Sequence, residues 1–281
     1  MTLLAGAVIG LTLGALGGGG SILTVPVLVY LLAEPPRVAT TASLVIVGVA
    51  SILGAIGYAR SGRVRWAAAG IFGVIGIAAS FGGAKVNRLV DPNVLLLCFA
   101  ALMLVGATAM VLRTRSSSPT TRVGPALTPV GAGGAAAPMS GAVVDRERVS
   151  GRGHRASQTA TTSKVIVAAL VVGFLTGFLG VGGGFVIVPA LLLALHYEMP
   201  VAVGTSLVII SITSLGAFAE RLGQTEIPWH TIVPFTAAAV LGSFAGTRVS
   251  DRVSGTTLTR AFAALLVLVG IYVGIQAGSS L

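Results

Sequence analysis

Gly14-Ala-Leu-Gly17-Gly-Gly19-Gly20-Ser-Ile-Leu-Thr-Val25-Pro26 returns 163 residues later as Gly177-Phe-Leu-Gly180-Val-Gly182-Gly183-Gly184-Phe-Val-Ile-Val188-Pro189. The same offset carries Ser43-Leu44-Val45-Ile46 onto Ser206-Leu207-Val208-Ile209, Ser80-Phe81 onto Ser243-Phe244, and Phe99-Ala100-Ala101-Leu102 onto Phe262-Ala263-Ala264-Leu265. One register held along the whole chain points to a duplicated half. Two copies in one apolar chain are a common layout for proteins that move solutes across membranes, with the site where the halves meet.

The residues are 54% hydrophobic and only 9% charged, with a mean hydropathy of +0.97. A water-soluble domain carries about 25% charged residues, so lipid has to be much of this chain's solvent. The one cysteine, Cys98, lies in an apolar run. It excludes an internal disulfide and a multi-Cys metal site, and reads as a small buried hydrophobe. The net charge of +10 is concentrated: eight of eighteen Lys and Arg lie between Arg113 and Lys164, and Arg60, Arg63 and Arg65 share a short loop. Basic loops between apolar spans are typical of the cytoplasmic side of membrane proteins. No stacking aromatics are interleaved with them, which argues against nucleic acid. The N-terminus has no basic leader ahead of its apolar run, so it does not read as a cleaved signal.

A spanning helix needs roughly 20 mostly apolar residues. Residues 2–33 (interrupted by glycines), 38–59, 66–86 and 93–112 qualify in the first half. In the second they are 165–196 (interrupted likewise), 201–220, 229–249 and 256–278. Stretches such as Val94–Leu112 are apolar on every face, which fits helices and not the alternating strands of a barrel. The expected fold is therefore all-α: an integral membrane protein of about eight transmembrane helices in two homologous four-helix halves, each with a glycine-broken first helix. Residues 1–112 and 164–281 are the halves. Residues 113–163, rich in Arg, Ser, Thr, Pro, Gly and Ala, read as a disordered basic linker.

Counting each interrupted segment as one crossing gives a parallel four-plus-four repeat. Counting it as two short helices gives an inverted five-plus-five repeat. Basic residues divide 12 against 6 in the first scheme and 14 against 4 in the second. Length favours eight crossings.

Gly17–Gly20 and Gly182–Gly184 should interrupt their helices, with Pro26 and Pro189 as further structural breaks downstream. Broken backbone at bilayer depth is tolerated only where it is buried in protein or lines a polar cavity. The helix beginning after each break offers free N–H donors and partial positive charge, an anion site without a charged side chain. The candidate substrate-binding residues are accordingly Gly17, Gly19, Gly20, Gly180, Gly182, Gly183 and Gly184, joined by hydroxyls at the start of the next helix: Ser43, Thr205 and Ser206, with Thr40 and Thr41 nearby. Such hydroxyls equally bond their own helix. Gly180-Val-Gly182-Gly183-Gly184-Phe185 lacks the last glycine of a dinucleotide loop and has no strand before it.

Glu34, Arg37, Lys85, Arg88, Asp91, Glu198, Glu220, Arg221, Glu226, Arg248, Asp251 and Arg252 all fall at expected helix ends or loops. No acidic residue sits mid-span to mark a proton or sodium relay. His154, His196 and His230 have no partner at metal-ligand spacing, and no nucleophile and base pair stands out. No catalytic residue, metal or cofactor is expected, and the protein does not read as an enzyme. The expected partners are a small anion and the lipid bilayer. A coupling ion and a homo-oligomer stay open.

The second copy, with Val188-Pro189 and then Ala202-Val-Gly204-Thr205-Ser206-Leu207 opening the next helix, resembles the TauE/SafE sulfite-exporter family of membrane permeases. The first half departs at Gly18 (Val181 in the second copy), Ser21 (Gly184) and Ala42 (Thr205). The resemblance covers everything but the linker. It implies about eight helices in the plasma membrane that move small anions, sulfite and sulfonates among them. Export of such an anion by a carrier is the reading it favours. A passive anion channel and a non-transporting membrane scaffold or assembly factor are the alternatives.

Overall fold

The computed structural model describes residues 2–87, 89–116, 150–179, 184–221 and 228–278. All regular structure among them is helical. In chain order the helices are α1 (Thr2–Leu16), α2 (Gly19–Pro26) with a π-helical turn (Val27–Leu31), α3 (Pro36–Arg60), α4 (Trp66–Asn87), α5 (Pro92–Ser116), α6 (Ser150–Leu179), α7 (Gly184–Leu193), α8 (Met199–Arg221), α9 (Trp229–Arg252) and α10 (Gly255–Gly278). Helical backbone reaches into the 113–163 stretch from both sides, while 117–149 lies outside the described residues.

Five described helices are long and apolar enough to cross a bilayer: Val38–Arg60, Trp66–Asn87, Met199–Ala219, Trp229–Arg252 and Gly255–Ile275. Their outer faces carry exposed Val74, Leu241, Leu268 and Ile275, as lipid contact requires. Trp66 and Trp229, both exposed, open α4 and α9, and these helices run in opposite directions. Each bilayer face thus receives one interfacial tryptophan.

The 2–33 segment is two helices that double back, not one interrupted crossing. A Cβ on Gly20 would stand 2.6 Å from the Ile9 carbonyl oxygen. Eleven positions along a straight helix would separate these residues by about 16 Å. The reversal is at Gly17, whose φ of +77° is the left-handed conformation that glycine alone takes without penalty. Length cannot tell a kinked helix from a reversed one, and here a left-handed residue reverses it. In the second half α7 likewise returns beside α6: Ala190 and Ala194 share a surface groove with Ser163, Val167 and Val172.

Both hairpins end alike. Glu34 N–H donates to the Leu28 carbonyl at 3.0 Å, and Tyr197 N–H to the Leu191 carbonyl at 3.2 Å. Each bond spans six residues, one more than the closing bond of a Schellman cap, and encloses a left-handed residue. The left-handed residues are Ala33 (φ +56°) and His196 (φ +55°), where glycine is the usual occupant. Ala33→Gly is expected to stabilise the protein by roughly 0.5–1 kcal/mol, read as a higher melting temperature in detergent.

Long glycine seams assemble the bundle. α1 runs parallel to α9, and any side chain on Gly10 or Gly14 would overlap the backbone at Ala239 or Ser243. α6 runs parallel to α4, and side chains on Gly173 or Gly177 would meet the backbone at Gly76 or Ser80. The reciprocal contacts match: Gly246 lies on Leu11 and Gly14, and Gly83 on Phe174 and Gly177. Small residues permit this approach where no hydrophobic effect drives helices together. Between the two seams α3 and α8 cross the centre antiparallel, with Gly48 at Ser214, Gly54 at Leu207 and Gly204 at Tyr58. α5 and α10 also pair antiparallel through Gly270, Met103 and Ala100. α3 and α8 therefore run in opposite directions, while α1 with α9 and α4 with α6 run in the same direction.

Candidate functional site

The beginnings of α2 and α7 meet inside the bundle. A Cβ on Gly18 would overlap the Gly184 carbonyl and stand 3.0 Å from Phe185 Cα. A Cβ on Gly184 would stand 2.5 Å from Ser21 Oγ. Backbone therefore passes backbone where the reversed helices start. The cap residue of α2, Gly18, makes no side-chain cap hydrogen bond, and Ser21 Oγ donates to the Gly18 carbonyl at 2.7 Å. The first N–H groups of α2 thus point from a buried helix end with its positive partial charge.

The expected residues divide as follows. Gly17, Gly19, Gly20 and Gly184 are buried around this meeting point; Gly180, Gly182 and Gly183 lie outside the described residues. Ser206 is brought to the break, since a Cβ on Gly17 would stand 2.5 Å from Ser206 Oγ. Its hydroxyl donates to the Val203 carbonyl at 2.8 Å, and Ser43 donates to the Thr40 carbonyl at the same distance. Both have taken the helix-bonded option, and binding an anion would require their hydroxyls to rotate. Thr205 is drawn elsewhere: its Oγ1 accepts from Arg65 N–H at 3.1 Å, tying α8 to the loop after α3. Pro26 precedes the π-helical turn, and Pro189 lies fully inside α7.

A neighbouring cavity of about 80 Å³ lies between α4, α6 and α8, with Ile187 of α7 at one wall. Phe72 and four hydroxyl residues, Ser80, Thr176, Thr213 and Ser214, contribute to its lining. These four hydroxyls lie outside the glycine clusters and helix starts that mark the candidate residues in the sequence. The signal was available, because Ser80 with Ser243 and Ser51 with Ser214 are pairs at the repeat offset. The buried polar residues among those described are Ser and Thr, together with Tyr58, so hydrogen bonding inside the bundle comes mainly from neutral hydroxyls, while a charged nitrogen, Arg113 Nη1, is buried towards the end of α5. No group of three His, Cys, Asp or Glu suited to a metal occurs among the described residues.

An all-helical bundle with several bilayer-length helices and doubled-back helix starts in its interior defines a polytopic membrane protein of the transporter class. The chain belongs to the sulfite exporter TauE/SafE family, whose sequence profile matches residues 2–273. A probable membrane transporter protein of Xylella fastidiosa (strain Temecula1) is 30% identical over 97% of this chain and 94% of its own length. The probable membrane transporter protein YunE of Bacillus subtilis is 25% identical over 95% and 97%. One from Methanocaldococcus jannaschii is 22% identical over 97% and 94%. No solved structure matches the chain.

Proposed function

We propose that the protein is a secondary carrier for a small sulfur oxyanion, sulfite or a compact organosulfonate, and moves it outward across the plasma membrane. The observation that carries this reading is the meeting of Gly18 with Gly184. It sets two helix starts side by side in an interior whose wholly buried polar residues, among those described, carry neutral hydroxyls. Backbone N–H groups there favour negative charge without a fixed counter-charge that would hold the cargo too tightly.

Two five-helix halves of inverted direction underlie the site in this reading. Support comes from contacts that repeat at the 163-residue offset, such as Gly14 on Ser243 and Gly177 on Ser80, and from antiparallel α3 and α8. Connectivity then assigns every Lys and Arg among the described residues except Arg37, Lys85 and Arg221 to the face where α5 ends and α6 begins. That is the cytoplasmic face by the positive-inside rule. α1 then begins, and α10 ends, at the outer face.

Purified protein in liposomes should take up labelled sulfite with saturation and counterflow, which a channel would not give. Ser206→Ala should reduce the flux about two- to tenfold, the value of one hydrogen bond of ~0.5–1.5 kcal/mol. Flux equal to that of empty liposomes would retire the carrier reading, and linear, counterflow-free flux would favour the channel.

A further inference from the structure

The cavity between α4, α6 and α8 has a counterpart that is shut. The 163-residue offset turns Ser80 into Ser243, Ser214 into Ser51 and Ala217 into Gly54. Ser51 and Ser243 are 0% exposed. A Cβ on Gly54 would stand 2.5 Å from Ser243 Oγ and 3.5 Å from Leu207 Cδ1. Ser80, Ser214 and Ala217 border a cavity of about 80 Å³, whereas their counterparts Ser243, Ser51 and Gly54 are buried against protein.

The hydroxyls differ between the two places in a way that matches. Ser243 Oγ donates across the interface to the Ala50 carbonyl of α3 at 3.2 Å. Ser80 Oγ donates within its own helix to the Ile77 carbonyl at 2.7 Å. On the shut side a hydroxyl therefore links α9 to α3, and on the open side the corresponding hydroxyl is withdrawn. Ser51 Oγ is buried and has no hydrogen-bond partner among the described residues. A wholly buried hydroxyl without a partner is costly, and packing alone gives no reason to keep one there.

We infer that Ser51, Gly54 and Ser243 form a second solute chamber, closed in this conformation, and that the two chambers open alternately towards opposite faces. The inference rests on the carrier reading and deepens it. The moving parts are the seamed pairs: α1 locked to α9 through Gly10 and Gly14, and α6 locked to α4 through Gly173 and Gly177. Each pair shifts as a unit against the central α3 and α8. Ser51 Oγ finds its partner, solute or water, when α9 moves off α3. Interiors repack between discrete arrangements rather than deforming continuously, which suits an exchange of one open chamber for the other.

The test uses the full chain with its single cysteine replaced (Cys98→Ser) and one new cysteine, Ser214→Cys or Ser51→Cys. The probe is a small, membrane-impermeant anionic methanethiosulfonate, applied to right-side-out and inside-out vesicles. Ser214→Cys should react from the face where α8 ends, and Ser51→Cys should be nearly inert. Adding Gly54→Leu wedges the shut chamber. Ser51→Cys should then react from the opposite face, and Ser214→Cys should slow about tenfold, the factor that ~1.4 kcal/mol gives. Ser243→Ala is the gentler variant, removing only the cross-helix bond, and should raise Ser51→Cys labelling several-fold. Ser51→Cys staying inert with both changes in folded protein, or reacting from the same face as Ser214→Cys, would overturn the inference. Labelling does not depend on the cargo: the expected pattern without sulfite flux would retire the sulfite reading and leave the paired chambers standing.

Discussion

Gly177→Leu should leave no folded protein that can be purified. A side chain at this position would overlap the Ser80 carbonyl, and its Cβ would stand 2.6 Å from the Ser80 carbonyl carbon and 2.7 Å from its Cα. These are backbone atoms of α4 and cannot rotate away as a side-chain tip could. The seam would have to open along its length, lifting α6 from Gly76, Ser80 and Gly83 together. Overpacking a core costs about 1–3 kcal/mol when side chains can adjust, and this site offers no such adjustment. Against a total stability of about 5–15 kcal/mol, the loss falls on the largest interface α6 makes. Gly70→Leu is the control. Gly70 lies in the same helix α4 with nothing within 4 Å of its added Cβ, and leucine is the better helix former by nearly 1 kcal/mol. Gly70→Leu should purify as well as the unmodified protein, monitored by size exclusion and thermal melting in detergent. Equal yields for the two leucine variants would mean that the α4 and α6 seam is not as close as described.

How much of this was legible in the sequence depends on which physical quantity each feature needed. Apolar length and the scarcity of charge were enough for a helical membrane bundle, since lipid leaves few other solutions. The interruption at Gly17 was legible because each of four successive glycines weakens a helix by about 1 kcal/mol relative to alanine. Its outcome was not, because kink and reversal differ by the sign of one φ angle, and +77° at Gly17 decides for reversal. The seams were half visible. Glycines at Gly6, Gly10 and Gly14 predict close packing, but not that the partner is α9, more than two hundred residues away. Hydroxyl roles were the least legible. Thr205 and Ser206 are neighbours in sequence, yet one is held by Arg65 N–H and the other lies beside Gly17. A serine in an apolar span looks the same whether it bonds its own helix, as Ser80 does, or a neighbour, as Ser243 does.

Gly18→Val is expected to leave a folded protein that carries almost no sulfite. The added Cβ would overlap the Gly184 carbonyl and lie 2.6 Å from the Gly184 carbonyl carbon. Unlike Gly177, Gly18 is at the tip of a short hairpin and not on a long seam. Its backbone has φ −90°, which valine adopts without strain. α2 and α7 can therefore part locally without dismantling α1 from α9 or α4 from α6. What is lost is the side-by-side arrangement of the two helix starts, on which anion binding depends in the proposed function. An overpacking cost of about 1–3 kcal/mol concentrated there corresponds to roughly a 5- to 150-fold fall in flux. Gly19→Ala separates this effect from a general intolerance of side chains in the glycine cluster. Its Cβ meets Leu265 Cδ2 at 2.8 Å, the end of a flexible side chain that can turn aside, so flux should stay within about twofold of the unmodified protein, the value of less than 1 kcal/mol. Labelled sulfite uptake into liposomes measures both. Normal flux in Gly18→Val would mean that the cargo passes elsewhere, and the hydroxyl-lined cavity of Ser80, Thr176, Thr213 and Ser214 would then have to be the path on its own.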